Sequence, residues 1–579
     1  MLLTLGRRLV RTQVENKECV IMILPLFLPA VVTNPANPVP AERFPTFASI
    51  PQPTLNSETS FSKQCSASGG EGSAQADAPY FAPGGAYGAR WSNWQQSFRT
   101  CVPWLMPSSD EDLAEILEYA QAHNYTVRPG GATGTQFAAV TDGTDENTIV
   151  VSLANYTAPS NWEYELNEPA STVRVNAGWS EFKLYSRIRP AGYTLPTQTA
   201  LPIFQLGGMV ANSVHGGVYE ASFVSKNIKS LRVMTADGVI HHITSESELR
   251  MWRNSYGLLG IITAIEFALL SVSAFQVIYV SRSFPWSEAN FWDFVVSDAM
   301  AGLQPPGAAA GSQSAFSGQF FMDMSTSPEQ VSFGAVVTLM NGNATFPDVP
   351  SATPTVGEYA QLNTEGTEEP LQPDFSIQAP LFESIARVIR RGLAENVGND
   401  GFLGMNPTPR NIYYAAYFVP ISNLSAALDV MRSDAVARSA AAASTPTFTW
   451  SFPFEMRFVR VTDDATLTIV PPGTYGVVEF LSPSTLGADP ADNQDMMKAF
   501  YAMEKALMPL GAVPHVAKEW GFEADDSEYV TAFAAASVCN IYTDATKQAF
   551  NSYRLQLDPQ GRFAGGGAMG LLAPCGVSD

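Results

Sequence analysis

Histidine and cysteine are scarce in this chain, five of each among 579 residues, and neither forms a cluster. Cys19, Cys65, Cys101, Cys539 and Cys575 make no Cys-x-x-Cys pair and lie too far apart for a compact zinc knuckle, so no structural metal is expected. An oxidising compartment would allow one or two disulfides, with Cys539 and Cys575 the first pair to test, although spacing does not fix connectivity. Positive charge is also in short supply. Lys and Arg total 33 against 55 Asp and Glu, a balance that repels phosphate backbones and anionic lipid, and nucleic acid is not an expected partner. No apolar run is long enough to span a bilayer. The stretch Val20 to Val32 is free of charge but broken by Pro25 and Pro29; with Lys17 ahead of it, it reads as a signal-peptide core and predicts export, although Glu15 and Glu18 are untypical there. Asn124, Asn155, Asn343 and Asn423 each open a glycosylation acceptor, compatible with that route. The sequence lacks a Gly-x-Gly-x-x-Gly that opens a helix and a Gly-x-x-x-x-Gly-Lys-Ser/Thr loop, which disfavours Rossmann and P-loop folds.

What the chain has is apolar bulk. Hydrophobic residues make up 46%, aromatics 11% and charged residues only 15%, enough to bury large cores, and the length calls for at least two of them. Residues 1–45 read as a leader and 46–94, rich in Pro, Gly, Ser and Ala, as a surface-wrapping segment. Helical spacing begins at a capping box, Ser108-x-x-Glu111, and predicts a helix over 110–123 with Leu113, Ile116, Leu117 and Ala120 inward. A strand at Tyr125–Val127 then runs into Arg128-Pro-Gly-Gly-Ala-Thr-Gly134, and strands are expected at 149–153 and 172–175, followed by a helix over 180–189. A second small-residue loop is Gln205-Leu-Gly-Gly-Met-Val-Ala-Asn-Ser-Val-His-Gly-Gly217. Residues 228–243 carry a hairpin whose Asp237-Gly238 predicts a two-residue turn, and 261–270 reads as a closing strand. From 273 to 500 strands alternate with Pro-rich insertions and many aromatics.

Glycines after a strand let backbone N–H groups approach a pyrophosphate, but an ordinary tight turn is the bland alternative. The order of the pieces goes further. Arg128-Pro-Gly-Gly-Ala132, Leu206-Gly-Gly208, Val214-His-Gly216, Thr235-Ala-Asp-Gly238 and Gly257-Leu-Leu-Gly-Ile-Ile-Thr263 together resemble the vanillyl-alcohol-oxidase-type (PCMH-type) FAD proteins over about residues 95–272. Glu455-Met-Arg457, His515-Val-Ala-Lys518 with Trp520, and Asp558-Pro-Gln-Gly-Arg-Phe563 are similar to segments of that family's aldonolactone, alditol and covalent-type cholesterol oxidases. Val516 and the pair Ala564-Gly565 depart from the pattern.

The resemblance implies an α+β fold: a two-subdomain FAD-binding domain over 95–272, a cap or substrate domain over 273–500 that covers the isoalloxazine face, and a segment, 501–579, that returns to the FAD domain. It implies FAD contacts at Arg128, Pro129, Gly130, Gly131, Ala132, Thr133, Gly134, Leu206, Gly207, Gly208, Asn212, Ser213, His215 and Gly216, with Gly260, Ile261 and Ile262 near the adenine half. Many relatives join the flavin to a histidine after the first glycine pair or to a cysteine in the second loop; neither residue is present there, so FAD is expected to be non-covalent.

Moving a hydride from an alcohol carbon to flavin N5 leaves negative charge on the flavin and releases a hydroxyl proton, so a cation and a base should converge. Lys518 and Arg457 are candidates for the charge, Glu455 for orienting Arg457 or taking the proton, and His515 for an alternative base. Read alone, Glu455 with Arg457 is a structural ion pair, the histidines are structurally satisfied and Lys518 is exposed. The expected activity is oxidation of a bulky alcohol, sterol, alditol or lactone with oxygen as acceptor. The alternatives are a dehydrogenase using a quinone or cytochrome, which the bulk of Val214 beside His215 would suit, and a secreted non-catalytic binding protein.

Overall fold

The computed structural model describes residues 11–14, 17–20, 89–92, 99–102, 104–131, 140, 147–188, 190–197, 199, 204–271, 275–285, 316–323, 330–340, 412–442, 444, 448–450, 454–483, 494–518, 520, 542–565 and 567–572. Ala132, Thr133, Gly134, Cys539 and Cys575 lie outside the described residues.

Two sheets, of three and five strands, dominate the first half. Strands β1 (Trp104–Leu105), β2 (Thr126–Pro129) and β3 (Thr148–Val151) form a parallel sheet in the order β1-β3-β2. All four positions of β3 are buried, as a parallel strand covered on both faces requires. Helix α1 (Asp110–Ala122) packs Leu113, Ile116, Leu117 and Ala120 inward as expected, but its cap is shifted. Ser109, not Ser108, is the N-cap and accepts from the Asp112 N–H at 3.2 Å, while the Asp112 carboxylate accepts from the Ser108 N–H at 2.8 Å. The acidic partner sits three residues beyond the true cap, so the sequence pattern places the box one residue early.

The second sheet is antiparallel. It contains β4 (Tyr164–Asn167), β5 (Thr172–Asn176), β6 (Ile228–Met234), β7 (Ile240–Ile243) and β8 (Ile261–Ala268) in the order β7-β6-β8-β5-β4. The β6–β7 connection corrects the expected two-residue turn. Thr235 and Val239 close the ladder around Ala236-Asp237-Gly238, Asp237 accepts from the Val239 N–H at 3.1 Å, and of the Asp-Gly pair only Gly238 has positive φ, at 75°. The second glycine stretch also differs from the expected loop. Leu206–Ala211 forms a short helix, α3, because Leu206, Met209 and Val210 fall on one face and are buried together. Helices α2 (Glu181–Ile188) and α4 (Glu246–Trp252) complete this half.

The cap is a seven-stranded antiparallel sheet. Its strands are β9 (Phe275–Pro285), β10 (Phe316–Asp323), β11 (Gln330–Met340), β12 (Ile412–Pro420), β13 (Phe454–Val461), β14 (Gly473–Pro483) and β15 (Val513–Pro514), in the order β9-β11-β10-β13-β14-β12-β15. Alternation along the strands gives the sheet two different faces. Ala415, Tyr417, Val419, Phe454, Met456, Phe458, Val478 and Phe480 join a core with α5 (Leu424–Ala442) and α6 (Gln494–Leu507). Ala416, Phe418, Val459, Val461, Tyr475 and Val477 join the core of the first half instead. The cap elements therefore run on to Pro514 before the chain returns to the first half, where α7 (Asp544–Leu557) is the last described α-helix. Among the described residues no helix is long and apolar enough to cross a membrane.

Gly260 holds the start of β8 against its neighbours. Its φ is 147°, and a Cβ there would stand 2.5 Å from the Met234 carbonyl oxygen. Gly260→Ala combines backbone strain with that collision and should cost about 2 kcal/mol or more, a drop of several degrees in melting temperature by calorimetry. An unchanged melting temperature would contradict this packing.

Candidate functional site

The two glycine stretches meet at one edge of the first half. A Cβ on Gly131 would stand 3.3 Å from Gln205 Oε1, and one on Gly207 would stand 3.3 Å from Ala177 Cβ and 3.6 Å from the Ile262 carbonyl oxygen. Gly131, Gly207 and Ile262 thus come together as the sequence implied. Gly208 differs: nothing described lies within 4 Å of a Cβ there, so its side of α3 faces open space. Gly130 gives its N–H to the Val151 carbonyl at 2.8 Å, and Leu206 belongs to the apolar core. Arg128 spends its guanidinium on the main chain, donating to the carbonyls of Tyr256 at 2.6 Å, Phe563 at 2.6 Å and Gly257 at 3.1 Å. It braces the turn below Pro129, whose ring would meet a Cβ on Gly257 at 2.8 Å.

The C-terminal tail seals the same strand. The Asp558 carboxylate accepts from the N–H groups of Arg562 at 2.6 Å and Phe563 at 2.7 Å, a turn that delivers the Phe563 carbonyl to Arg128. A Cβ on Gly565 would lie 3.2 Å from Thr126 Oγ1 and 3.3 Å from Arg128 Cδ. Glycine at this position therefore lets the tail lie close to β2.

Two buried polar atoms along this edge have no partner. Asn212 donates its amide to the Gly208 carbonyl at 2.9 Å but leaves Oδ1 unbonded, and Ser152 Oγ, at the end of β3, is likewise unbonded. Buried polar atoms are ordinarily satisfied. Together with the open side of Gly208, they fit an elongated polar cofactor laid across both glycine stretches, as FAD would be. Ser213, His215 and Gly216 continue from Asn212 toward the cap.

Facing this edge, the cap sheet presents charge. Glu455 and Arg457 lie on β13 and their side chains form an ion pair through Arg457 Nη2 and Glu455 Oε1. Glu479 on β14 is the register partner of Glu455, and its Oε1 is 3.6 Å from Arg457 Nη1. Burial works against the guanidinium charge, but Glu455 and Glu479 outweigh it and hold Arg457 firmly protonated. Lys518 reaches the same place from the returning segment, its Nζ 4.6 Å from the Tyr414 ring centre. It is half-buried rather than exposed. Burial lowers its pKa, with Arg457 adding to the effect and Glu479 and Glu455 opposing it.

His515 and His215 stand side by side, ring centres 5.3 Å apart, with Phe418 5.8 Å from the first and 5.5 Å from the second. His515 Nδ1 accepts from the Ala517 N–H at 3.1 Å and its other nitrogen donates to the Ser213 carbonyl, so both ring nitrogens are used by the main chain. His215 Nδ1 bonds the Gly216 carbonyl at 3.0 Å. Sequence reasoning did not find Glu479, Tyr414 or Phe418. Glu479 is the single charge in the otherwise uncharged strand Gly473–Pro483, and that was its only signal.

Burial, then the positive charges of Arg457 and Lys518, push His215 down to about 3, and His515 is held well below its usual value for the same kinds of reason. A folded pKa below the unfolded value near 6.5 means that the unfolded chain binds more protons between the two values. Stability from this source is complete above pH 6.5 and falls as the pH drops toward 3. His215→Gln should therefore flatten the fall in melting temperature between pH 6.5 and pH 5 by about 2 kcal/mol equivalent; an identical pH slope in the variant would mean that His215 is not held neutral.

Parts of the chain are similar to known proteins. Residues 104–244 match the family model described as FAD binding domain, and residues 378–569 match that described as D-arabinono-1,4-lactone oxidase. L-gulonolactone oxidase of Bos taurus is 23% identical over 186 residues, 31% of this chain and 40% of that protein. Alditol oxidase of a Streptomyces species is 26% identical over 164 residues (28% and 37%), and L-gulono-1,4-lactone dehydrogenase of Mycobacterium tuberculosis 25% over 179 residues (30% and 39%). The chain thus spans about two-fifths of the length of these relatives. In three dimensions, cholesterol oxidase from B. sterolicum superposes with a TM-score of 0.56 at 14% identity, covering 84% of this chain and 97% of that one. With its glycine stretches, α+β halves and cap sheet in that arrangement, the chain fits the PCMH-type FAD-binding oxidoreductases and resembles their aldonolactone and alditol oxidases.

Proposed function

We propose that the protein is an FAD-dependent oxidoreductase that oxidises a CH–OH group of a neutral, hydroxyl-rich substrate of the alditol or aldonolactone kind. The observation that carries this reading is the division of the cap sheet into two faces. Phe454, Phe458, Phe480, Tyr417 and Trp450 lie in the core shared with the cap helices. The opposite face carries Glu455, Arg457 and Glu479 beside Lys518. The described aromatic bulk of the cap is thus largely its own core, and the charges suit a polar substrate better than a sterol.

FAD, when bound, supplies a two-electron acceptor at its N5. Gly131, Gly207, Gly208, Asn212 and Ser152 are the residues that would hold it, without a covalent bond. Lys518 donates to the substrate oxygen and stabilises the charge that develops there as the hydroxyl proton passes to the Glu455 carboxylate. Glu455 fixes the orientation of Arg457, which adds positive potential. His515 holds the Ser213 turn against the cap and works as a positioning residue, since neither ring nitrogen is left to take a proton.

Oxygen is the acceptor we propose, supported by the oxidases among the relatives; a dehydrogenase is the second reading, favoured by the partly buried Val214 next to His215. Hydrogen peroxide released with each turnover favours the first, and turnover only with an added quinone the second. The run Val20 to Val32 supports export, which recovery of a shortened chain from culture medium would test.

The purified protein should be yellow with one FAD, and acid precipitation should leave the colour in the supernatant; colourless protein without FAD affinity would leave a binding protein on this fold. Gly208→Ala should fold normally yet retain FAD poorly, because its methyl group enters the open side of α3. Lys518→Met should keep FAD but slow its anaerobic reduction by about 100-fold, the scale of one preorganised charge. Reduction at the wild-type rate would remove Lys518 from the site.

A further inference from the structure

The charged groups on the cap face differ in how many of their bonds are already made. Arg457 and Glu455 are joined to each other. His515 has given both nitrogens to the main chain, and His215 has given one to Gly216. Glu479 is the exception. Its residue is only 2% exposed, its one ion-pair contact among the described residues is Arg457 Nη1 at 3.6 Å, and no described residue donates a hydrogen bond to its carboxylate. At 3.6 Å the contact is too long to be a hydrogen bond.

Such a carboxylate is a cost to the fold. Taking the charge out of water is expensive unless donors replace the water, and here they do not. The register makes matters worse, because Glu479 stands directly opposite Glu455 on the neighbouring strand, where like charges repel. Arg457 does not need a second carboxylate to be neutralised, since Glu455 already does that. The residue opposite Glu479 on its other side is Ala416, which has no side chain beyond Cβ. The carboxylate is therefore flanked by a low point in the β12 surface, between Tyr414 and Phe418, with the Lys518 ammonium in electrostatic range. A buried acceptor without a donor, beside a small residue and facing the cofactor edge, is arranged for a donor that arrives from outside.

We propose that Glu479 is a substrate-binding residue whose carboxylate accepts a hydrogen bond from a hydroxyl group of the substrate, one other than the group Lys518 contacts. The assignment rests on the oxidoreductase reading above and narrows it. A substrate must bring at least two hydroxyls to satisfy both groups, which selects polyols and lactones over simple alcohols and sterols. A substrate bearing its own carboxylate meets repulsion from Glu479, so a lactone should bind and the hydrolysed open acid should not.

The test uses the flavin-loaded protein and its Glu479→Leu and Glu479→Gln variants. Three quantities are read: melting temperature, flavin content with the oxidised spectrum, and anaerobic flavin reduction by L-gulono-1,4-lactone and by xylitol. Glu479→Leu should melt at the wild-type temperature or above, keep its flavin and spectrum, and need about 30-fold more substrate for half-saturation, with the limiting rate within about threefold. Glu479→Gln, which keeps one acceptor oxygen, should fall between. L-gulonate, the open acid, should reduce the wild-type flavin at least tenfold less efficiently than the lactone. A fall of several degrees in both variants would make Glu479 a structural counter-ion of Arg457. Loss of flavin or an altered resting spectrum would turn the carboxylate toward the cofactor, and half-saturation within twofold of wild type would remove it from the substrate; each result overturns the proposal. If no alcohol or lactone reduces the wild-type flavin, the oxidoreductase reading fails, and Glu479 is then judged by melting alone. In that case a rise in melting temperature with lactone or xylitol that is absent in Glu479→Leu supports the binding role, and no rise in the wild type refutes it.

Discussion

A guanidinium buried between two carboxylates governs how the rest of this molecule is arranged. Arg457 has little water to solvate it, so its charge persists because Glu455 is joined to it, with Glu479 adding negative potential from the same face of the cap sheet. The same face fixes the register of β13 against β14, since a one-residue slip would send a carboxylate into the apolar core of the cap helices. The same potential reaches across to the first half of the molecule. Arg457 and Lys518 add to the burial that keeps His215 neutral, and a neutral His215 can pack against Phe418 and His515 without a counter-ion. The seam between the halves is therefore apolar where the imidazoles meet and charged where a substrate would sit.

Much of the first half was legible in the sequence because its signals are local. The α1 periodicity, the strands on either side of the first glycine pair and the hairpin near Asp237 each reside in a short continuous stretch. Their errors were local too. Ser109 displaced Ser108 as the cap because the acidic side chain that could answer it was Asp112. Leu206–Ala211 wound into a helix because three apolar residues at helical spacing outweighed two glycines. The cofactor edge was legible only in part, since Gly131 and Gly207 are recognisable by type but the unbonded Asn212 Oδ1 appears only when the packing is known.

The cap face was legible at Glu455 and Arg457, two residues apart on one strand, and illegible at Glu479. Nothing local marks a single glutamate in an apolar strand as a partner of a residue 24 positions earlier. Only the β13–β14 register makes them neighbours. His515 shows the reverse case. A lone histidine near a lysine invites assignment as a base, and the order of its hydrogen bonds, which the sequence does not carry, assigns both nitrogens to the backbone.

The placement of these charges over the cofactor edge is set some distance away, at the loop that joins β13 to β14. Arg250 at the end of α4 bonds the Asp463 carboxylate at 2.7 Å, Thr466 donates to the Arg250 carbonyl at 2.7 Å, and Arg253 donates to the Asp464 carbonyl at 2.8 Å. Arg253 is itself immobilised by the Ser225 carbonyl at 3.0 Å and by Glu246. Strands are stiff and rise about 3.3 Å per residue, so clamping the loop just past Val461 fixes Arg457, roughly 13 Å back along β13, with little slack. Sites of this chemistry need their groups held within about half an ångström. A rigid strand anchored to the cofactor-binding half meets that requirement in a way that a loop carrying the same residues would not, and this explains why the charged groups of the cap sit on strands while the anchoring contacts sit on the turn between them.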